Sequence, residues 1–449
     1  MSRTTLPRPY ESTLSADQFR AAVTDGRFPV AVVGLGKMGL PLAAVYADVT
    51  GNVVGVDRDG DRVAAINDGR TPVTGEPGLP DLVERTVADG ALRATTDGVS
   101  AAEDATIHVL LVPTTSGAKQ GADLTAMRAA AETVGDGLSA GDLVVVESTV
   151  PPRSCADVLT PLLAVESGLD PEAFGVAFCP ERTASGRALR DIRGAYPKVV
   201  GGTDEAATRA ARLVYEEITD NDVVPVDATT AECVKVFEGV YRDVNIALAN
   251  ELATFADELD ADVREAIAVA NTLPMCDIHD PGVGVGGHCI PYYPYFLLSE
   301  FETDGPLMQA AREVNDAMPV AVADRLIECL DGSGGMDDIR VVLLGVTYRA
   351  GVAETRKSPA IPLGERLIAA GADVAAVDPL IEGGDDLPFP LVSLDSVRES
   401  PPDAAVLVTH HDTFDGIDWD RLPPMVVLDG RGTLDIDSTH HDVLTVGRP

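Results

Sequence analysis

Pro29-Val-Ala-Val-Val-Gly34-Leu-Gly36-Lys37-Met38-Gly39 runs straight into Leu40-Pro-Leu-Ala-Ala-Val-Tyr46 and then into Asn52-Val-Val-Gly-Val-Asp57. A short apolar run, a glycine cluster, an alanine-rich stretch and a second apolar run closing on an acid read as strand, turn, helix, strand. A lone G-x-G-x-x-G is a weak signal, but here both flanks supply the required context. The glycines permit a tight turn and close approach of a pyrophosphate, and the following helix N-terminus favours the anion. Asp57 would accept from both ribose hydroxyls and repel a 2′-phosphate, so the pattern predicts NAD rather than NADP. An ordinary strand–helix turn is the weaker reading.

Working outward, buried strands are expected at residues 106–112, 143–147 and 175–178. Each ends in a polar or proline-containing loop: Pro113-Thr114-Thr, Ser148-Thr149-Val-Pro-Pro, and Cys179-Pro-Glu181-Arg. In an open parallel sheet, ligands sit outside the carboxyl ends of the strands, so these loops are expected to line a crevice. From 229 to 261 the pattern is helical and free of proline, with Lys235, Gly239, Arg242 and Ile246 on one face. A helix of that length suits a domain connector or a dimer contact. A glycine-dense loop follows, from Asp280 through Gly287-His288-Cys289 to Tyr293. Beyond 321, strands are expected at 339–345, 373–378, 404–409 and 425–429, with a helix over 359–370. Without a second G-x-G-x-x-G, this α/β unit suits a mononucleotide-type ligand.

The predicted fold is therefore α/β. It comprises an arm (1–28, with a helix near 15–24), a dinucleotide-binding Rossmann domain (29–205), a central helical domain with the long connecting helix (206–320) and a C-terminal Rossmann-like domain (321–449).

The composition narrows the function classes. Apolar residues make up 45% of the 449, enough for real cores, and only 4% are aromatic, so those cores must be mainly Ala, Val, Leu and Ile. With 72 acids against 34 bases, the formal charge of −38 repels nucleic-acid backbones and anionic membrane surfaces. Lysine occurs only at Lys37, Lys119, Lys198, Lys235 and Lys357; the other bases are arginine. Such a surface resembles cytosolic proteins of salt-accumulating halophiles, because at a Debye length of about 3 Å in molar salt like charges barely repel. Dilute buffer is then expected to lower the melting temperature, and equal melting in dilute and molar KCl would contradict this. Scattered cysteines, no signal-peptide core and no run of about 20 apolar residues predict a reduced, soluble, cytoplasmic protein.

Cys289 ends the glycine-rich loop, where small neighbours would let a substrate carbon approach a thiolate. A buried structural cysteine is the competing reading. Lys235 could stabilise an oxyanion or be a surface lysine beside Glu238. Thr149 and Glu181, on sheet-end loops, could handle a proton or a water. His288 is expected to hold a loop rather than tune the thiol. The pairs at 410–411 and 440–441 lack metal-ligand spacing, so no metal is predicted.

Taken together, several ordered strings resemble the nucleotide-sugar 6-dehydrogenase family, near its UDP-N-acetylmannosamine dehydrogenase branch. They are Glu147-Ser-Thr-Val-Pro-Pro152, Pro180-Glu-Arg182, Ala231-Glu with Lys235, Tyr241-Arg-Asp-Val-Asn-Ile, Gly284-Val-Gly-Gly-His-Cys-Ile-Pro291, Ala311-Arg-Glu-Val-Asn-Asp316 and Thr355-Arg-Lys-Ser-Pro359. The resemblance implies a four-electron oxidation of a sugar C6 alcohol to a carboxylate with two NAD in succession, through a thioester on Cys289. It implies proton or water handling by Glu181, oxyanion stabilisation by Lys235 and a site-lining role for Thr149. Cofactor positions implied are Gly34, Gly36, Lys37, Met38, Gly39, Asp57, Arg62, Val112, Thr114, Thr149 and Arg356. Substrate positions implied are Glu181, Lys235, Arg242, Asn245, Gly287, Tyr293, Arg349 and Arg431, for a UDP-sugar, in a homodimer.

The match has departures. Gly239 stands where the family usually has asparagine, Tyr293 where it has aspartate, Met275 where the branch often has arginine, and Arg349 where lysine is common. Loss of a side chain at Gly239 is expected to make room for Tyr293, whose hydroxyl takes over part of the lost polar role. Two alternatives remain at this stage: a two-electron β-hydroxyacid dehydrogenase, and a nucleotide-sugar-binding homologue with altered chemistry.

Overall fold

The computed structural model describes residues 8–116, 121–330, 336–436 and 439–449. They form two compact units, Met1–Phe237 with Tyr295–Glu302, and Glu238–Pro294 with Thr303–Pro449.

The first unit is built on β1 (Val30–Val33), β2 (Val53–Val56), β3 (Leu92–Thr95), β4 (Ile107–Leu110), β7 (Leu143–Val146), β8 (Gly175–Phe178), β9 (Lys198–Gly202) and β10 (Val223–Asp227). A small antiparallel pair, β5 (Thr115–Ser116) and β6 (Ala122–Asp123), stands apart. The sheet order is β10-β9-β8-β7-β4-β1-β2-β3. Strands β1, β2, β4, β7 and β8 are buried along their whole length, as expected of strands covered on both faces. Alternate residues feed two cores: Val30, Val32, Val53 and Leu143 meet Leu40, Tyr46 and Tyr215, whereas Ala31, Val33, Val144 and Val146 meet Met127, Val134 and Leu163. From β3 to β8 the order is the doubly wound one, with its reversal between β1 and β4. The glycine loop after β1 and the Leu111–Thr114 segment after β4 both leave the sheet at that reversal.

The last two strands alter the pattern. β8 pairs with β9 antiparallel, and β9 with β10 parallel, so the sheet is mixed rather than all parallel. The expected domain break at 205/206 falls at the start of the Glu205–Ile218 helix, which packs on this sheet and leads into β10. The arm is also part of this unit. Ser15 and Gln18 form a capping box on the Ala16–Thr24 helix, and Tyr10 donates from its backbone to Gly141 and from its hydroxyl to Asp204 at 2.9 Å.

The second unit carries an all-parallel sheet in the order β12-β11-β13-β14-β15, with β11 Arg340–Leu344, β12 Asp373–Val377, β13 Ala404–Leu407, β14 Val426–Asp429 and β15 Asp442–Thr445. The Ala360–Ala369 helix covers it together with a long Pro306–Leu330 helix, through Leu363, Leu367, Val322 and Leu326. Sequence reading missed that long helix because Pro319 and the expected boundary at 321 lie within it. Pro319 is accommodated beside Gly284, where a Cβ would stand 3.1 Å from the proline ring. The helix expected over 229–261 is two, Ala228–Ala253 and Ala256–Leu259, separated by a turn at Thr254-Phe255. No helix among the described residues is long and apolar enough to cross a membrane.

Candidate active site

In the first unit, the glycine loop is set by close backbone approach. A Cβ on Gly34 would lie 2.2 Å from the Leu111 carbonyl, and one on Gly39 would lie 1.8 Å from the Gly34 carbonyl. Among the described residues nothing lies within 4 Å of the Cβ that Gly36 lacks, which leaves that face of the turn open to a ligand. On the segment after β4, the Thr114 hydroxyl is buried and lacks a hydrogen-bond partner among the described residues. Lys37 is exposed, while Met38 is half-buried with its sulfur 3.0 Å from the Thr183 hydroxyl oxygen.

Asp57 closes β2. Its carboxylate accepts from the backbone N–H of Leu35 and Asp59 and from Arg62 at 2.9–3.0 Å. Burial raises its pKa, but these donors outweigh burial and hold it below the usual carboxylate range. Of about four lone-pair sites, three are filled, so with Arg62 in place it has room for one ribose hydroxyl rather than two. The glycine cradle, the orphan hydroxyl of Thr114 and this acid fit a dinucleotide.

Two further loops of the same unit hold the other expected residues. Ser148 donates to and accepts from the Val112 backbone, at 2.7–2.8 Å, fixing the strand ends on either side of Val112 and Thr149. Glu232, fully buried on the Ala228–Ala253 helix, accepts from the N–H groups of Arg153 and Cys155 and so caps the turn after Thr149. Three residues on, Lys235 donates to the Glu181 carbonyl and stands 3.7 Å from its carboxylate. With 12% of its side chain exposed, it is not a surface lysine. Thr183 donates twice to the Glu181 carboxylate. Burial would push the Glu181 carboxyl up, but Lys235 and Thr183 outweigh it and keep it ionised.

In the second unit, Cys289 is exposed at the end of its loop, and its carbonyl accepts from the N–H groups of Tyr292 and Tyr293 at 3.0 Å. Gly287, at φ +95°, packs against the Tyr348 ring and donates its N–H to the Arg356 carbonyl. His288 binds Glu354, a loop-holding contact as anticipated. The Tyr293 ring fills the space beside Gly239: a Cβ there would be 1.7 Å from Tyr293 Cδ2. The glycine thus makes the room that the tyrosine occupies.

Other expected residues divide by environment. Arg242, Arg349 and Arg356 are exposed. The Asn245 amide, on the Ala228–Ala253 helix, donates to the Asp277 carbonyl at 2.6 Å and accepts from His279 N–H at 2.8 Å, which makes it a holder of the segment before the glycine loop. Arg431 donates to the Val408 carbonyl at 2.7 Å, and its guanidinium lies against Gly282.

The chain, with this cradle and this cysteine loop, matches three consecutive domains described as the UDP-glucose/GDP-mannose dehydrogenase family: NAD binding over 28–219, central over 229–317, and UDP binding over 342–436. It is 34% identical over 414 residues to the UDP-N-acetyl-D-mannosamine dehydrogenase of Pyrococcus horikoshii, covering 90% of this chain and 96% of that one. The chain belongs to the UDP-glucose/GDP-mannose dehydrogenase family. It is also 36% identical to an NDP-N-acetyl-D-galactosaminuronic acid dehydrogenase of Ralstonia solanacearum, over 90% of this chain and 95% of that one. The solved Pyrococcus structure superposes with a TM-score of 0.86 at 33% identity, covering 94% of this chain and 99% of that one. As a member of this NAD-dependent oxidoreductase family, it carries the NAD-binding domain on its first sheet.

Within the family, residues 239 and 293 give this chain a testable pair. Gly239→Ala regains about 1 kcal/mol of helix propensity, yet overpacking against Tyr293 costs about 1–3 kcal/mol. The single variant is expected to melt lower. Adding Tyr293→Ala removes the clash, so the double variant should melt higher than the sum of the two single changes. Additive melting shifts would contradict the contact.

Proposed function

We propose that the protein oxidises the C6 alcohol of a UDP-N-acetylhexosamine, UDP-N-acetylmannosamine in the first instance, to the uronic acid. The observation that carries the reading is Cys289, exposed at the end of a glycine loop. By contrast, burial pushes the thiols of Cys155 and Cys179 up and out of the reactive range.

Two hydrides leave the sugar carbon, one in each oxidation, and NAD is the acceptor for both. The first oxidation yields an aldehyde. The Cys289 thiolate adds to its carbon, making a thiohemiacetal; departure of the second hydride leaves a thioester. Water then attacks the acyl carbon, the C–S bond breaks, and the thiol is regenerated with the carboxylate product. Glu181, held ionised, takes the proton of the attacking water, and Lys235 stabilises the oxyanion. Thr149 lines the site, and the Tyr293 hydroxyl supplies a polar group in place of a second carboxylate. Arg242, Arg349 and Arg431 suit a diphosphate, since guanidinium donors form a fixed fork. The UDP moiety is placed on the C-terminal sheet, within the domain matched over 342–436.

A homodimer is proposed because the Ala228–Ala253 helix leaves Phe237, Tyr241 and Leu248 exposed. A cytoplasm rich in salt is proposed from the charge of −38.

The reading is tested with purified protein in molar KCl, NAD and a panel of nucleotide sugars. NADH formation is expected with UDP-N-acetylmannosamine, with slower turnover of UDP-glucose and GDP-mannose. Tight UDP-sugar binding without NADH, or turnover of a β-hydroxyacid instead, would contradict it.

A further inference from the structure

Lys198 is one of the five lysines in a chain that otherwise uses arginine, and nothing above gives it a task. Its side chain is only 16% exposed. The ammonium donates to the Glu147 carboxylate at 2.9 Å, to the Cys179 carbonyl at 3.0 Å and to the Pro180 carbonyl at 3.2 Å. All three of its donors are used. It also lies 4.6 Å from the centre of the Tyr215 ring, and the Tyr215 hydroxyl donates to the other Glu147 oxygen.

These partners are the residues immediately before the two loops that carry Thr149 and Glu181. Glu147 closes β7 and its carbonyl accepts from the Glu181 N–H at 3.2 Å. Cys179 and Pro180 lead from β8 into Glu181. The sheet topology explains how a single lysine reaches both. Because β9 runs antiparallel to β8, with Phe178 opposite Gly201, the first residue of β9 returns to the carboxyl ends of the parallel strands.

We propose that Lys198 is a positioning residue: it ties the Glu147 carboxylate to the carbonyls of Cys179 and Pro180 and thereby sets where Glu181 stands. The proposal rests on the reading of Glu181 as the carboxylate of the reaction. A flexible Lys head can meet three acceptors arranged around a point, which the planar guanidinium of the otherwise preferred arginine cannot do with the same geometry. Lys235 holds Glu181 from the helix side, through its carbonyl and carboxylate. Lys198 holds the peptide before it from the sheet side.

A bare structural ion pair would use the same residues, so the test separates the two. Lys198→Met alone strands a buried carboxylate and is expected to destabilise the unit. In the full-length chain, Glu147→Gln with Lys198→Met removes both charges. This double variant is expected to recover most of the melting temperature while kcat stays roughly 10–100-fold low, with the KM for NAD unchanged. Amide exchange of residues 179–187 is expected to quicken in the same variant. Recovery of kcat together with melting temperature, or unchanged exchange at 179–187, would overturn the proposal. If the double variant does not fold, Lys198→Arg serves: it keeps the charge and is expected to keep the melting temperature while lowering kcat about 3- to 10-fold, and wild-type kcat in that variant would overturn the proposal. The exchange measurement needs no turnover. A wild-type protein inactive on every nucleotide sugar would therefore sink the proposed function while exchange still decides the clamp.

Discussion

Cys289→Ala is expected to leave the protein folded and to abolish uronic acid formation, with a fall in kcat on the order of 10⁴-fold. The fold should survive because the thiol is exposed and the turn around it is held by its carbonyl, which the substitution keeps. Activity should not survive, because the aldehyde then has no nucleophile to trap it for the second oxidation. Mass spectrometry of acid-quenched wild-type protein during turnover should reveal a sugar adduct on the Cys289 peptide, absent from the variant. Uronic acid made by Cys289→Ala within tenfold of the wild-type rate would remove the thioester from the mechanism.

Lys235→Met carries the second-largest expected effect, a 10²–10³-fold fall in kcat, the usual result of removing one oxyanion donor. It should also move the acid limb of the pH–rate profile, and the sign follows from the forces on Glu181. Burial raises the Glu181 pKa, while the Lys235 ammonium and the Thr183 donors lower it further than burial raises it. Without the ammonium, burial loses its main opponent, so Glu181 takes up its proton at a higher pH. Activity that needs the carboxylate is then lost at higher pH than in the wild type. A variant with lower kcat but an unmoved acid limb would leave Lys235 an oxyanion donor and remove its influence on Glu181.

Much of the fold was readable because it rests on short-range patterns. The run from Pro29 to Asp57 alone specified strand, turn, helix and strand, and β1, β2 and their glycine loop stand there. Continuous apolar runs located β4, β7, β8 and β11 to β14 for the same reason: strands covered on both faces have no polar alternation to confuse. The misses have local causes. β3 reads Leu92-Arg-Ala-Thr95 and β10 is a largely exposed edge strand with Pro225, so neither presents an apolar run. β15 is similarly polar at its start. β9, Lys198-Val-Val-Gly-Gly202, was not expected either, its apolar run being only two valines beside glycines, and its reversal depends on the connection rather than on the strand's own residues.

The site was readable in its motifs and not in its supports. Glu232 stands in the Ala231-Glu string of the resemblance without a role there, and only its burial and its N–H donors identify it as the cap on the Arg153–Cys155 turn. Lys198 carried one signal, its rarity as a lysine, which pointed to the position without indicating its partners. The pairing of Gly239 with Tyr293 was legible because both positions depart from the family pattern, and a helix glycine, at a cost of about 1 kcal/mol, called for a reason. Asp57 follows β2, as the spacing led one to expect, but its lone pairs are largely filled by Leu35, Asp59 and Arg62, which no spacing rule could disclose.

The central claim is that one sugar carbon loses four electrons, the second pair from a thiol-bound state. It is tested most directly by counting NADH against UDP-N-acetylmannosamine consumed at complete conversion in molar KCl. Two NADH per sugar is the predicted result; one per sugar, with an aldehyde or ketone as the product, would contradict it.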